Sequence, residues 1–230
     1  PEANFSGANL KDAVLNTTYI SRGSLKDANL AGADLSGTVL FEANLSNANF
    51  SNSILNGAIL EGANLNGADL LNAKLEGVTS GGNSGIPFNV PLGFEMINGA
   101  ILGPKATVYE PHDFSGADLS GVDLTDTYLD RCNFNGANLS GVNFTGAWVY
   151  RPDFTNADLT GAIFKDATCY SPTFENTTFT GADFSGAEVF AHRGSVSGTN
   201  FSETYLTGVD FSGASLFSAN FSGSDLSEVN

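Results

Sequence analysis

An all-β solenoid with four short sides per coil is predicted by three observations. A large apolar residue recurs at every fifth position, a small residue sits two positions before it, and phenylalanines repeat at twenty-residue spacing. A period of five fits neither the 3.6 of a helix nor the 2 of a strand, so no single regular element can keep these residues on one face. The pattern closes only if the chain turns a corner every five residues.

The first block of repeats runs from Phe5 to Leu75, with Leu or Phe at every centre except Ile20. The frame resumes at Phe114 and continues to Val189, with Val149, Cys169 and Val189 as milder substitutes. After a two-residue slip it runs again from Val196 to Leu226, giving 38 units of which 33 have Leu or Phe at the centre. In the first block the small residue is Ala in 11 of 15 units. Pairing a large with a small inward residue fills a narrow interior without voids. Between the two lies Asn or Asp, as in Asn9, Asn29, Asp34 and Asn44, and Ser or Thr and then often Gly follow the centre. These residue types supply the side-chain-to-backbone hydrogen bonds and the left-handed dihedrals that corners need.

Phe114, Phe134, Phe154 and Phe174 form one column at spacing 20, and Phe144, Phe164 and Phe184 form another. Aromatics so spaced predict four sides per coil, rings stacked from coil to coil, and about nine to ten coils in all. The consensus A-(N/D)-L-x-x resembles that of the pentapeptide-repeat family, and the resemblance covers nearly all of the chain outside residues 79–112. It implies a right-handed quadrilateral β-helix, and a bacterial, cyanobacterial-like member.

Residues 1–230 are expected to form one solenoid domain with a non-repeat insert at 79–112 and a short bulge at 190–195. The insert opens with the flexible composition of Thr79 to Gly85 and then turns apolar from Ile86 to Gly103, with Pro87 and Pro91. Its Phe88, Phe94, Met96 and Ile97 are expected to bury, most simply against the outer wall. The alternative organisation is a hinge between two shorter solenoids.

Nine Lys and Arg against 25 Asp and Glu give a net charge of −16, which repels nucleic-acid phosphates and anionic lipid. No direct nucleic-acid or membrane binding is therefore expected, and no apolar run approaches the length of a membrane span. The repeat is already running by Ala3, as in a processed or trimmed chain, so cytoplasm and an exported compartment (periplasm or thylakoid lumen) both stay open. The chain stops in repeat at Asp225-Leu226, and the uncapped solenoid ends are expected edges for self-association.

Chemistry is sparse. His112 and His192 lie in the two interruptions, 80 residues apart and outside any metal-ligand spacing. Cys132 takes a small inward slot and Cys169 a central one, on different sides, which predicts packing thiols and not a disulfide. No nucleophile–base order, phosphate-cradling loop or paired buried carboxylates can be assembled, so no enzyme activity, metal or cofactor is predicted. Some members of the family that the chain resembles are acidic rods that imitate DNA and inhibit topoisomerases, which makes an acidic DNA-mimic inhibitor the alternative function. The acids here do not run continuously. Columns such as Asp113, Asn133, Asp153 and Asp118, Asn138, Asp158 separate carboxylates by two coils, roughly 10 Å, about one Debye length at 0.1 M salt.

One side of the second block departs from the generic pattern. Its centres Leu129, Val149, Cys169 and Val189 are the weakest in the chain, and its outward positions carry Tyr128 and Trp148 before the centres and Tyr150, Tyr170 and Phe190 after them. Arg131, Arg151 and Arg193 add three of the nine cationic residues, and Pro152 and Pro172 mark the following corner. Aromatic and arginine side chains together suit contact with another protein through stacking, cation–π attraction and desolvated area. The expected function is thus a non-enzymatic structural or interaction module that meets a protein partner along this stripe.

Overall fold

The computed structural model describes residues 2–109, 111–190, 196–207, 209, 211 and 216–229. Each five-residue unit makes one side and one corner. The residue before the centre bridges in parallel to its equivalent one coil on, as in Asn9↔Asn29↔Asn49↔Asp69 and Val39↔Ile59↔Thr79. A twenty-residue step between parallel partners is what four sides per coil require.

The corner follows from local chemistry. The N–H of the next small residue closes the turn on the centre's carbonyl, as Ala28 N to Leu25 O at 3.0 Å. The Asn or Asp before the centre accepts from the backbone two residues on, as Ser51 N to Asn49 Oδ1 at 2.9 Å. The turn's third residue is left-handed throughout, which explains its Gly, Asn and Asp content. Because the turn takes most of the unit, most sides keep a single bridging residue and never lengthen into a strand.

Chain contacts divide the molecule into two compact units, Pro1–Val108 and Tyr109–Asn230. In the first, the interior is a continuous cluster of Leu centres and Ala slots with Phe50 as its one fully buried aromatic. In the second, stacked phenylalanines replace leucines. Phe114–Phe134–Phe154–Phe174 stack at centroid distances of 5.2, 5.0 and 5.6 Å, and Phe144–Phe164–Phe184 at 4.7 and 4.5 Å.

Within the first unit the ladder continues past residue 79: Ser84 bridges Asn64 and Asn89 bridges Asp69. The excursion proper is an antiparallel hairpin of β1 (Glu95–Ile97) and β2 (Ala100–Leu102), followed by β3 (Thr107–Val108). Thr107 returns to pair with Thr79, 28 positions earlier, so this coil carries eight more residues than the regular twenty. The extra residues have a physical use. The centre position Ser80 is small, and beside it stands Ile101, fully buried and part of the Leu core. Ser80 Oγ clasps it from both sides, accepting from Ile101 N at 2.9 Å and donating to Ile101 O at 3.1 Å. Phe94 and Met96 pack against the same core. Phe88 does not bury as expected. It is 78 % exposed, because its N–H is drawn to Ala68 O at 2.7 Å beside the Pro87 kink and its ring is turned out of the slot.

In the second unit β4 (Tyr128–Asp130), β5 (Trp148–Tyr150), β6 (Thr168–Tyr170) and β7 (Glu188–Phe190) form a parallel sheet in strict register. The bulge expected at 190–195 falls on residues 191–195, outside the described residues. Among the described residues Thr178 bridges Asn200 and Asp183 bridges Tyr205, a step of 22, and Asn200 bridges Asn220, a step of 20.

Candidate functional site

The β4–β7 sheet is the side singled out by its sequence, and its difference begins at the corner. Pro152 and Pro172 occupy the slot whose N–H closes the turn elsewhere, and proline has none to give. The backbone is extended over three residues in each of β4–β7, β4 included, whose corner slot holds Cys132. The preceding Arg131, Arg151 and Ser171 take up the left-handed bend, with φ of 53°, 49° and 50°. Their N–H groups keep the coil pairing, as Arg131 N to Tyr150 O and Arg151 N to Tyr170 O, both 2.7 Å.

Inward, Leu129, Val149, Cys169 and Val189 are fully buried. Outward, the sheet carries two columns. One holds Tyr128, Trp148, Thr168 and Glu188 in register, and the other Asp130, Tyr150, Tyr170 and Phe190. Tyr128 and Trp148 meet at 6.3 Å with a tilt of 47°. Tyr150 and Tyr170 stack at 5.2 Å and 12°, and Phe190 continues that column at 6.0 Å from Tyr170. Trp148 is 54 % and Tyr170 40 % exposed, whereas Tyr128, Tyr150 and Phe190 are half-buried.

The two arginines face different partners. Arg151 Cζ lies 5.1 Å from the Tyr150 ring centroid, a cation–π contact. Arg131 turns its guanidinium to Asp130, with Nη2 3.1 Å and Nε 3.2 Å from the carboxylate, an ion pair whose arginine is exposed and whose carboxylate is largely covered. Burial, and then the Asp130 charge, push the Tyr128 phenol above its ordinary value. The structure thus places five of the eight predicted residues in one sheet and Arg131 and Arg151 in the bends that follow β4 and β5; the eighth, Arg193, lies outside the described residues.

One member of the surface escapes the twenty-residue rule. Tyr109 extends the first column, 5.2 Å from Tyr128, and is 57 % exposed. It lies 19 positions before Tyr128, which takes it out of phase. Asp130, in phase with Tyr150, is a carboxylate among aromatics, and its position in the repeat was its sequence signal.

The remaining chemistry is structural. Cys132 and Cys169 are buried free thiols, each pushed up to about 12 by loss of solvation, far above the range where a thiolate forms. His112 packs against Phe114 at 4.5 Å, and His192 lies outside the described residues. Among the described residues no three His, Cys, Asp or Glu side chains gather as a metal site would need, and no helix is long and apolar enough to cross a membrane. The acid columns alternate with amides as their spacing predicts. Asn133 Nδ2 donates to Asp113 Oδ1 and Asn138 Nδ2 to Asp118 Oδ1, both at 3.0 Å.

A comparison with curated proteins finds no match. Among solved structures the chain is similar to HetL, a pentapeptide repeat protein involved in heterocyst differentiation regulation from the cyanobacterium Nostoc sp. strain PCC 7120. Identity there is 23 %, covering 100 % of this chain and 83 % of that one, with a TM-score of 0.39. It is similar to a pentapeptide repeat protein of the Arabidopsis thaliana thylakoid lumen at 33 % identity, over 42 % of this chain and 63 % of that one, with a TM-score of 0.25. It is also similar to QnrB1, a plasmid-mediated fluoroquinolone resistance protein, at 18 % identity over 100 % and 91 % of the two chains, with a TM-score of 0.31. Family models described as pentapeptide repeats match residues 2–37, 43–79, 113–147, 154–191 and 197–230. With five-residue sides, left-handed corners and a twenty-residue ladder over the same stretches, the chain belongs to the pentapeptide-repeat family.

Proposed function

We propose that this protein is a non-enzymatic interaction module that binds a protein partner through the β4–β7 face. One observation carries the reading: five aromatic side chains stand in two contiguous outward columns of one parallel sheet, in ring contact with one another, where exposed aromatics such as Tyr19 and Tyr205 stand outside any such column. Rings held in place lose little conformational freedom on binding, so the area they bury converts efficiently into affinity. Aromatics and Arg are also the side chains on which interface energy concentrates. The partner is expected to be a protein whose surface complements a chain of net charge −16 around that aromatic centre.

Against the alternative, an acidic mimic of DNA, stands the interruption of carboxylates by amides in columns such as Asp113–Asn133–Asp153 and Asp118–Asn138–Asp158, which dilutes the anionic field. Inhibition of a topoisomerase at micromolar protein would revive it. The test of the favoured reading compares the full chain with Trp148→Ala/Tyr150→Ala in capture from native lysate, followed by titration of the partner retained. The double variant is expected to bind roughly 30-fold or more weakly, as loss of about 2 kcal/mol of anchor contact implies, with an unchanged melting temperature. Equal binding by both proteins sinks the reading, and so does a weakening matched by a large fall in melting temperature.

A further inference from the structure

We propose that Tyr150 and Tyr170 form an oxidative cross-linking site, at which a one-electron oxidant joins strands β5 and β6 through a carbon–carbon bond between the two phenol rings. In a parallel in-register pair the two backbones are held at one inter-strand spacing, about 4.8 Å. Tyr150 and Tyr170 are such a pair, and their side chains leave the sheet on the same face. The rings stack at 5.2 Å with only 12° between their planes, face to face within one column. Tyr170 is 40 % exposed and Tyr150 half-buried, which leaves the pair open to an oxidant in solution while neighbours above and below restrain the rings. A coupling that is bimolecular between free tyrosines becomes intramolecular here, with its orientation already set.

The chemistry balances with hydrogen peroxide, turned over by a haem peroxidase, as oxidant. Each phenol gives up one electron and one proton. The two phenoxyl radicals then join at carbons ortho to oxygen, and the two ring hydrogens shift to the oxygens and restore aromaticity. The pair loses two hydrogens in all, and one peroxide is reduced to two waters. The product ties residues twenty apart in sequence into a closed loop.

The reaction is read by peptide mapping of the full chain after exposure to a haem peroxidase and limiting peroxide at low protein concentration. Trypsin leaves the Arg151–Pro152 bond intact, so Tyr150 falls in peptide 132–165 and Tyr170 in peptide 166–193, each the single tyrosine of its peptide. The expected result is a joined 132–165/166–193 species, two hydrogens lighter than the sum, recovered from the monomer fraction. Tyr150→Phe and Tyr170→Phe, which keep both rings and the stack, are each expected to abolish it, while Tyr19→Phe leaves it unchanged. The proposal falls if the joined species comes only from dimers or survives either phenylalanine variant. It falls equally if the sole product is a link between Tyr109 and Tyr128 inside peptide 106–131, the tilted pair at 49°.

Discussion

Hydroxyls in the small inward slots generally reach a carbonyl of the neighbouring coil. Thr38 Oγ1 donates to Leu15 O at 2.8 Å, Thr177 Oγ1 to Phe154 O at 2.7 Å, and Thr204 Oγ1 to Phe179 O at 2.8 Å. Ser224 makes the same bond to Phe201 O, so the hydroxyl and not the methyl is what the slot uses. Ser53 occupies the same kind of slot, fully buried, and among the described residues its Oγ has no hydrogen-bond partner. A buried hydroxyl without a partner costs about 1–3 kcal/mol, and alanine is what most such slots contain. Ser53→Ala is therefore expected to raise unfolding free energy by about 1 kcal/mol in urea titration. A loss of stability would mean that the hydroxyl is satisfied after all.

Among the elements, the β1–β2 hairpin depends on its turn. Asn98 and Gly99 both have positive φ, 48° and 83°, the two-residue arrangement whose twist matches the strands it joins. Gly99 also lies against the coil that the hairpin closes: a Cβ there would stand 2.6 Å from Asn83 O, and Gly99 O accepts from Asn83 N at 2.9 Å. Gly93, with φ of 86°, has nothing within 4 Å of an added Cβ. Gly93→Ala should cost only the dihedral strain, about 1 kcal/mol, and Gly99→Ala about 2 kcal/mol or more, since backbone must also move. Equal losses in thermal or urea denaturation would contradict the close approach. The Asn98-Gly99 pair between apolar residues was a legible hairpin signal that the strong five-residue period overshadows.

At the scale of the whole molecule, the second unit is held by aromatic columns where the first uses leucine. Phe154 sits at their crossing, stacked on Phe134 and Phe174 and edge-on to Phe144 and Phe164 at 6.2 and 6.3 Å. Truncation there leaves a cavity that a coil fixed above and below cannot close. Phe154→Ala is expected to destabilise by about 3–5 kcal/mol and Phe154→Leu by about 1–2 kcal/mol, read as shifts of the denaturant midpoint. A small effect of the alanine variant would show that neighbouring coils can move to fill the gap.

The four-sided coil, its inward residues, the stacked phenylalanines and the anomalous tyrosine, tryptophan and arginine side could all be read from the amino-acid sequence. Each depends on a period, and a period survives without coordinates because every coil repeats the same local corner chemistry. Three features were decided only by the tertiary structure. Ile101 joins the core beside Ser80, Phe88 turns outward, and Tyr109 joins the aromatic column out of phase. Each lies where the repeat is broken, so its surroundings come from residues distant in sequence, and only packing in three dimensions can choose among the places open to it.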